Sequence, residues 1–191
     1  MSTPTSNSVG TTSFSPMAGD GGALQSTIKW GGAYGTGVAL TFSFPGSNAW
    51  HVDGYHEYGN YFPLNAAEKA AVRDALAEWG AVANISFTEV ADDKSVVGEL
   101  RFALTDNAGN EAAHAYYPGN YPQGGDVWFR HGAWHDQADK GVEKGSYDYL
   151  TVLHEIGHAI GLKHSFEGLK ISKAFDSYAY TIMSYAATTG G

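Results

Sequence analysis

His154-Glu155-Ile156-Gly157-His158-Ala159-Ile160-Gly161-Leu162-Lys163-His164 is the stretch of this chain that decides its reading. Residues four apart on a helix share one face, so His154 and His158 can present two imidazoles to one ion. Glu155 lies about 100° around the axis from His154, where its carboxylate reaches a water at that ion without binding the ion. Gly161 tolerates positive φ and so ends the helix. The chain then turns, and His164 can return as a third ligand. Three neutral imidazoles leave one position of a Zn²⁺ open, which marks a catalytic and not a closed structural site. Such an ion lowers the pKa of its water toward about 7 and polarises a carbonyl. Glu155 is then the general base that takes the attacking water's proton and passes it to the leaving amine.

Outward from this motif the pattern is that of an α+β domain. The zinc helix is expected over residues 147–160, with Ser146 as its cap and Asp148 in its first turn. A second helix is predicted after Asn65, which stands three residues before Glu68 at capping-box spacing. Its expected buried stripe is Ala71, Val72, Ala75, Leu76, Trp79 and Val82. Strands are predicted at residues 38–44, 85–90, 99–105, 114–117 and 126–131, bounded by turn-forming residues. Residues 46–63 read as a long loop, with His51, Asp53, His56 and Glu57 as surface residues on it. The Ser-, Thr-, Gly- and Pro-rich residues 1–23 read as a flexible tail or pro-segment remnant ahead of a catalytic domain at 24–191.

Composition narrows the partners. Twenty acidic against eleven basic residues leave a net charge of −9, which argues against nucleic acid and against anionic membranes. No apolar run is long enough to span a bilayer, so membrane insertion is not expected. The absence of cysteine excludes disulfides, thiolate metal ligands and cysteine nucleophiles. The N-terminus has neither the basic nor the apolar region of a secretory signal peptide.

Thr181-Ile182-Met183-Ser184-Tyr185 follows His164 by the distance of a methionine turn. With the zinc motif it makes the chain resemble the metzincin metalloproteases, and the Met-Ser-Tyr form resembles the serralysins among them. Lys29-Trp30-Gly31-Gly32, Ala113-His114-Ala115-Tyr116-Tyr117-Pro118-Gly119 and Gly125-Asp126-Val127-Trp128-Phe129 extend the likeness across about residues 27–186. It implies a twisted, mostly parallel sheet with an antiparallel edge strand, two main helices and a small irregular C-terminal part at 161–191. Met183 would floor the metal site. Tyr185 would be an extra zinc ligand that moves to hydrogen-bond the oxyanion. Ala113, His114, Ala115 and Tyr116 would form the edge strand to which a peptide substrate adds.

Three departures accompany the resemblance. Ser165 stands where serralysins carry Pro, the loop between His164 and Met183 is short, and no Gly-Gly-x-Gly-x-Asp repeat of a calcium-binding β-roll is present. Calcium is therefore not assigned, although a full-length protein could bind it, and the sequence is expected to be part of a longer one. The expectation is a secreted, monomeric, broad-specificity bacterial endopeptidase with its export signal in a C-terminal part not represented here. Two alternatives stand beside it: a catalytically silent zinc-binding interaction module, and a protease selective for one surface protein.

Overall fold

In a computed structural model describing residues 9–16, 19–47, 49–133 and 142–187, the chain opens with β1 (Thr11–Ser13), a short α1 (Asp20–Ala23), β2 (Ile28–Trp30) and β3 (Val38–Ser43). β4 (Tyr61–Phe62) and α2 (Ala66–Val82) follow, then β5 (Ile85–Glu89), β6 (Leu100–Thr105), β7 (Ala113–Ala115), β8 (Val127–Arg130) and α3 (Tyr147–Ile160). Residues 1–8, 17 and 18 of the expected tail, and 48, 134–141 and 188–191 of the expected domain, lie outside the described residues.

The sheet runs β5-β3-β6-β8-β7, with β4 also pairing β6. β5, β3, β6 and β8 are parallel, while β7 joins β8 antiparallel and ends the sheet. This is the expected mostly parallel sheet with an antiparallel edge. β6 is buried along its whole length, as befits a central parallel strand covered on both faces. Its Leu100, Phe102 and Leu104 face the helices and pack with Val72, Ala75 and Leu76 of α2 and Val152 and Ile156 of α3. Arg101 on the same strand is also buried, and it makes two 2.8 Å bonds to the buried Asp92 carboxylate. A charge removed from water is tolerable there because its fork is matched by a carboxylate.

The reciprocal cap at α2 forms as predicted. Asn65 Oδ1 accepts from the Glu68 amide at 3.0 Å, and Glu68 Oε2 accepts from the Asn65 amide at 2.7 Å. The predicted stripe departs at one position: Val82 is 81% exposed, because the helix ends there. Residues 46–63 also differ from a surface loop. Glu57–Asn60 forms a 3₁₀ turn, and Tyr55 and Tyr58 pack on Ala103 and Trp128, closing the sheet's second face. Glu57 is buried there and not at the surface; its Oε1 accepts from the Tyr116 hydroxyl at 2.8 Å and lies 3.0 Å from His114 Nε2.

The N-terminal stretch carries structure within residues read as tail. β1 pairs antiparallel with β2, a contact between segments that no local pattern announces. Just beyond it, the chain clamps the end of α3. The Trp30 indole donates to the Ala159 carbonyl at 2.8 Å, and Ser26 N–H donates to the Gly161 carbonyl at 2.9 Å. Carbonyls at a helix C-terminus lack intrahelical donors, so these bonds satisfy groups that otherwise need water. Among the described residues no helix is long and apolar enough to cross a membrane.

Candidate metal centre and cleft

Ser146 starts α3 by accepting from the Tyr149 amide at 3.1 Å. The helix stops at Gly161, whose φ of 112° is open to glycine at little cost. Leu162 N–H returns to the Gly157 carbonyl (2.8 Å) and Gly161 N–H to that of His158 (3.0 Å), a Schellman closure. That closure aims the Leu162 carbonyl at His158 Nδ1, 2.8 Å away.

Each of the three expected ligands is oriented by a bond at its Nδ1. His154 Nδ1 lies 2.6 Å from the Ile182 carbonyl, His158 Nδ1 sits on Leu162, and His164 Nδ1 lies 2.7 Å from Glu167 Oε1. A carbonyl only accepts, so His154 and His158 carry their protons on Nδ1, and their Nε2 lone pairs are bare. Burial keeps both rings neutral: it lowers the His154 pKa and pushes that of His158 down to about 4. The Nε2 atom of His158 lies 3.1 Å from that of His154 and 3.1 Å from that of His164. Lone pairs brought so close repel unless a cation lies among them. Tetrahedral bonding at roughly 2.0–2.1 Å would set ligand nitrogens about 3.3 Å apart, close to what is found. The donor set therefore fits Zn²⁺, and among the described residues it is the group of side chains so converged.

Glu155 is buried beside this centre, and its Oε2 has no partner in the protein. Burial, with a contribution from Glu111, pushes its carboxyl up to about 8. Met183 is fully buried under α3, where a Cβ on Gly157 would come within 2.6 Å of its sulfur. Gly157 thus owes its identity to the Met183 approach. Ser165 anchors the returning chain: its amide donates to the Met183 carbonyl at 3.1 Å, and its hydroxyl donates to Asp176 at 2.5 Å. Proline could make neither bond. The Tyr185 hydroxyl lies 2.7 Å from His164 Nε2. Partial burial and the charges of Glu155 and Glu111 push its pKa up to about 12, so the phenol keeps its proton.

A cleft of about 420 Å³ runs between α3 and β7 over the three imidazoles. Ala113, His114 and Ala115 border it. Tyr116 does not; its hydroxyl is taken by Glu57, because alternation along the strand turns it with His114 toward that carboxylate. Tyr117 borders the cleft instead, its ring 5.6 Å from that of His158. Glu167, like Tyr117 and Glu111, is a cleft residue that the sequence did not single out. A carboxylate three residues after a ligand histidine, in a turn, was the available signal, and its hydrogen bond from His164 holds it below the ordinary carboxylate range.

A mostly parallel sheet, a two-histidine helix ended by glycine, a returning third histidine and a methionine beneath them define the metzincin class of metallopeptidase domain. Comparison with known proteins agrees. The family profile described as Matrixin, of the M10 peptidases, matches residues 49–181, and the chain belongs to that family. The serralysin of Proteus mirabilis is 34% identical over 181 residues, covering 82% of this chain and 36% of that protein. Serralysin G of Dickeya chrysanthemi is 32% identical over 185 residues, covering 87% and 38% respectively. Within the family the chain is serralysin-like, and it spans little more than a third of the length of these curated relatives.

Proposed function

We propose that this domain is a zinc endopeptidase, secreted, monomeric and of broad specificity, that cleaves internal peptide bonds of protein or peptide substrates. The observation that carries this reading is the convergence of three Nε2 atoms beside a buried carboxyl oxygen with no protein partner. His154, His158 and His164 would hold the zinc. When bound, Zn²⁺ supplies Lewis acidity toward a carbonyl oxygen and lowers the pKa of a water.

The remaining work falls to the chain's own side chains. Glu155 accepts the proton of the attacking water and hands it to the leaving amine. A carboxyl raised by burial suits this, since a general base works best with a pKa near the operating pH. A cation held by the three imidazoles would draw that value down. Tyr185 keeps its proton and can donate it in a hydrogen bond to the developing oxyanion. Glu167 fixes the His164 ring through Nδ1, as carboxylates do behind metal-ligating histidines. Ala113–Ala115 offers the free side of an end strand, on which an extended substrate is held antiparallel by main-chain bonds.

The direct test is incubation with casein, reading new α-amino groups. Their steady release is expected, and intact casein after prolonged incubation with zinc-loaded protein would sink the reading. A separate expectation concerns the phenol. Tyr185→Phe should lower kcat by one to two orders of magnitude with bound zinc unchanged. An unaltered kcat would reduce Tyr185 to a packing residue.

A further inference from the structure

The direction of the end strand and the charges along the cleft together say something about which peptides it takes. This rests on the endopeptidase reading above. Along β7 the chain advances from Glu111 toward Tyr117, and Tyr117 packs against His158. A substrate added antiparallel runs the other way, entering past Tyr117 and leaving toward Glu111. Residues on the C-terminal side of the scissile bond therefore approach Glu111. Opposite them stands the first half of α3, where Tyr147, Leu150 and Thr151 border the cleft, with Tyr178 from the returning chain beside them.

The charges in this half are one-sided. Among the described residues lining the cleft there is no lysine or arginine. Of its three carboxylates, Glu155 belongs to the chemistry and Glu167 is held by His164. Glu111 is exposed and makes no ion pair among the described residues. It borders the same cleft as Glu155, Tyr185 and the three imidazoles, which places it near the reacting bond. Tyr147 is also exposed, offering an aromatic face beside the apolar Leu150. A long basic side chain fits such a surface: its methylenes lie on the rings and its charged head reaches the carboxylate.

We infer that Glu111 makes the cleft select substrates with lysine or arginine within the first few residues after the scissile bond. Specificity of this kind is a difference between affinities, so the repulsion of acidic side chains contributes as much as the attraction of basic ones. The interaction is exposed to solvent, which limits its size. A preference of about tenfold between basic and acidic residues is the scale expected of exposed charge pairs.

The test is a peptide library cleaved by the zinc-loaded protein at low salt, with cleavage sites read by mass spectrometry. Basic over acidic residues should be enriched about tenfold at one of the first three positions after the cleaved bond. Glu111→Gln should reduce that ratio to within about twofold, and Glu111→Lys should invert it. Because the readout is a ratio within one sample, it does not depend on the variants' total activity. Equal zinc content and circular dichroism establish that they are folded. A wild-type ratio near one, or a ratio that Glu111→Lys leaves unchanged, overturns the inference while the peptidase reading stands. Failure of the wild-type protein to cut any peptide overturns both.

Discussion

Glu155→Ala is expected to lower kcat/KM by roughly three orders of magnitude, within the range of general acid–base catalysis, with zinc still bound. The expectation follows from position. The carboxyl sits 6% exposed beside the imidazoles, yet it contributes no bond to them, and its Oε2 bonds to nothing in the protein. Removing it takes away the proton acceptor and leaves the metal's ligands intact. The same burial bears on stability. An unpartnered buried polar group costs on the order of 1–3 kcal/mol, so Glu155→Ala, which removes it, should not lower the melting temperature. Most buried polar substitutions would lower it, which makes the pair of measurements diagnostic: activity falls while stability holds. Hydrolysis unchanged at equal zinc content would remove Glu155 from the chemistry.

Loss of the middle ligand should have an effect at least as large, by a different route. His158 lies between the other two imidazoles, with 3.1 Å from its Nε2 to each. His158→Ala leaves two nitrogens on opposite sides of a gap, and a two-imidazole site does not retain zinc against a chelator. Metal chemistry of this kind contributes several kcal/mol to the transition state, so activity should fall by a factor on the order of 10³ or more. The same loss is expected when the wild-type protein is treated with a chelator, and there added zinc should restore hydrolysis. For His158→Ala it should not. Zinc content by atomic absorption separates the two variants: retained in Glu155→Ala, lost in His158→Ala. Stoichiometric zinc in purified His158→Ala would show that the three histidines are not the site.

Much of the site was legible in the sequence because its signals are local. α3 spans Tyr147–Ile160 as expected, since a capping serine, a helical period and a stop glycine all act within a few residues. The same holds for the Asn65–Glu68 cap of α2. His154 and His158 share a face through helix geometry alone. His164 needed one more step, a turn at Gly161, and that too was written in adjacent residues.

What escaped the sequence depends on segments distant in the chain meeting in space. Val82 fits the helical period but is the last residue of α2, where the helix ends and leaves it 81% exposed. Glu57 looks like a loop carboxylate, and only the packing of the 46–63 segment on the sheet buries it against His114 and Tyr116. Thr11–Ser13 becomes a strand through the edge that β2 offers it. Glu111 has meaning only once β7 is known to end the sheet, with Glu111 just before it.

By itself, then, the sequence determined the α+β class, the helix that carries two imidazoles and a carboxylate, and the turn toward a third imidazole, because spacing and capping are properties of short stretches; Met183 was singled out by the family resemblance. The tertiary structure alone decided which nitrogen each histidine presents. That choice is made by the carbonyls of Ile182 and Leu162 and the carboxylate of Glu167. Those acceptors reach the rings only after the chain has turned at Gly161 and returned through Met183.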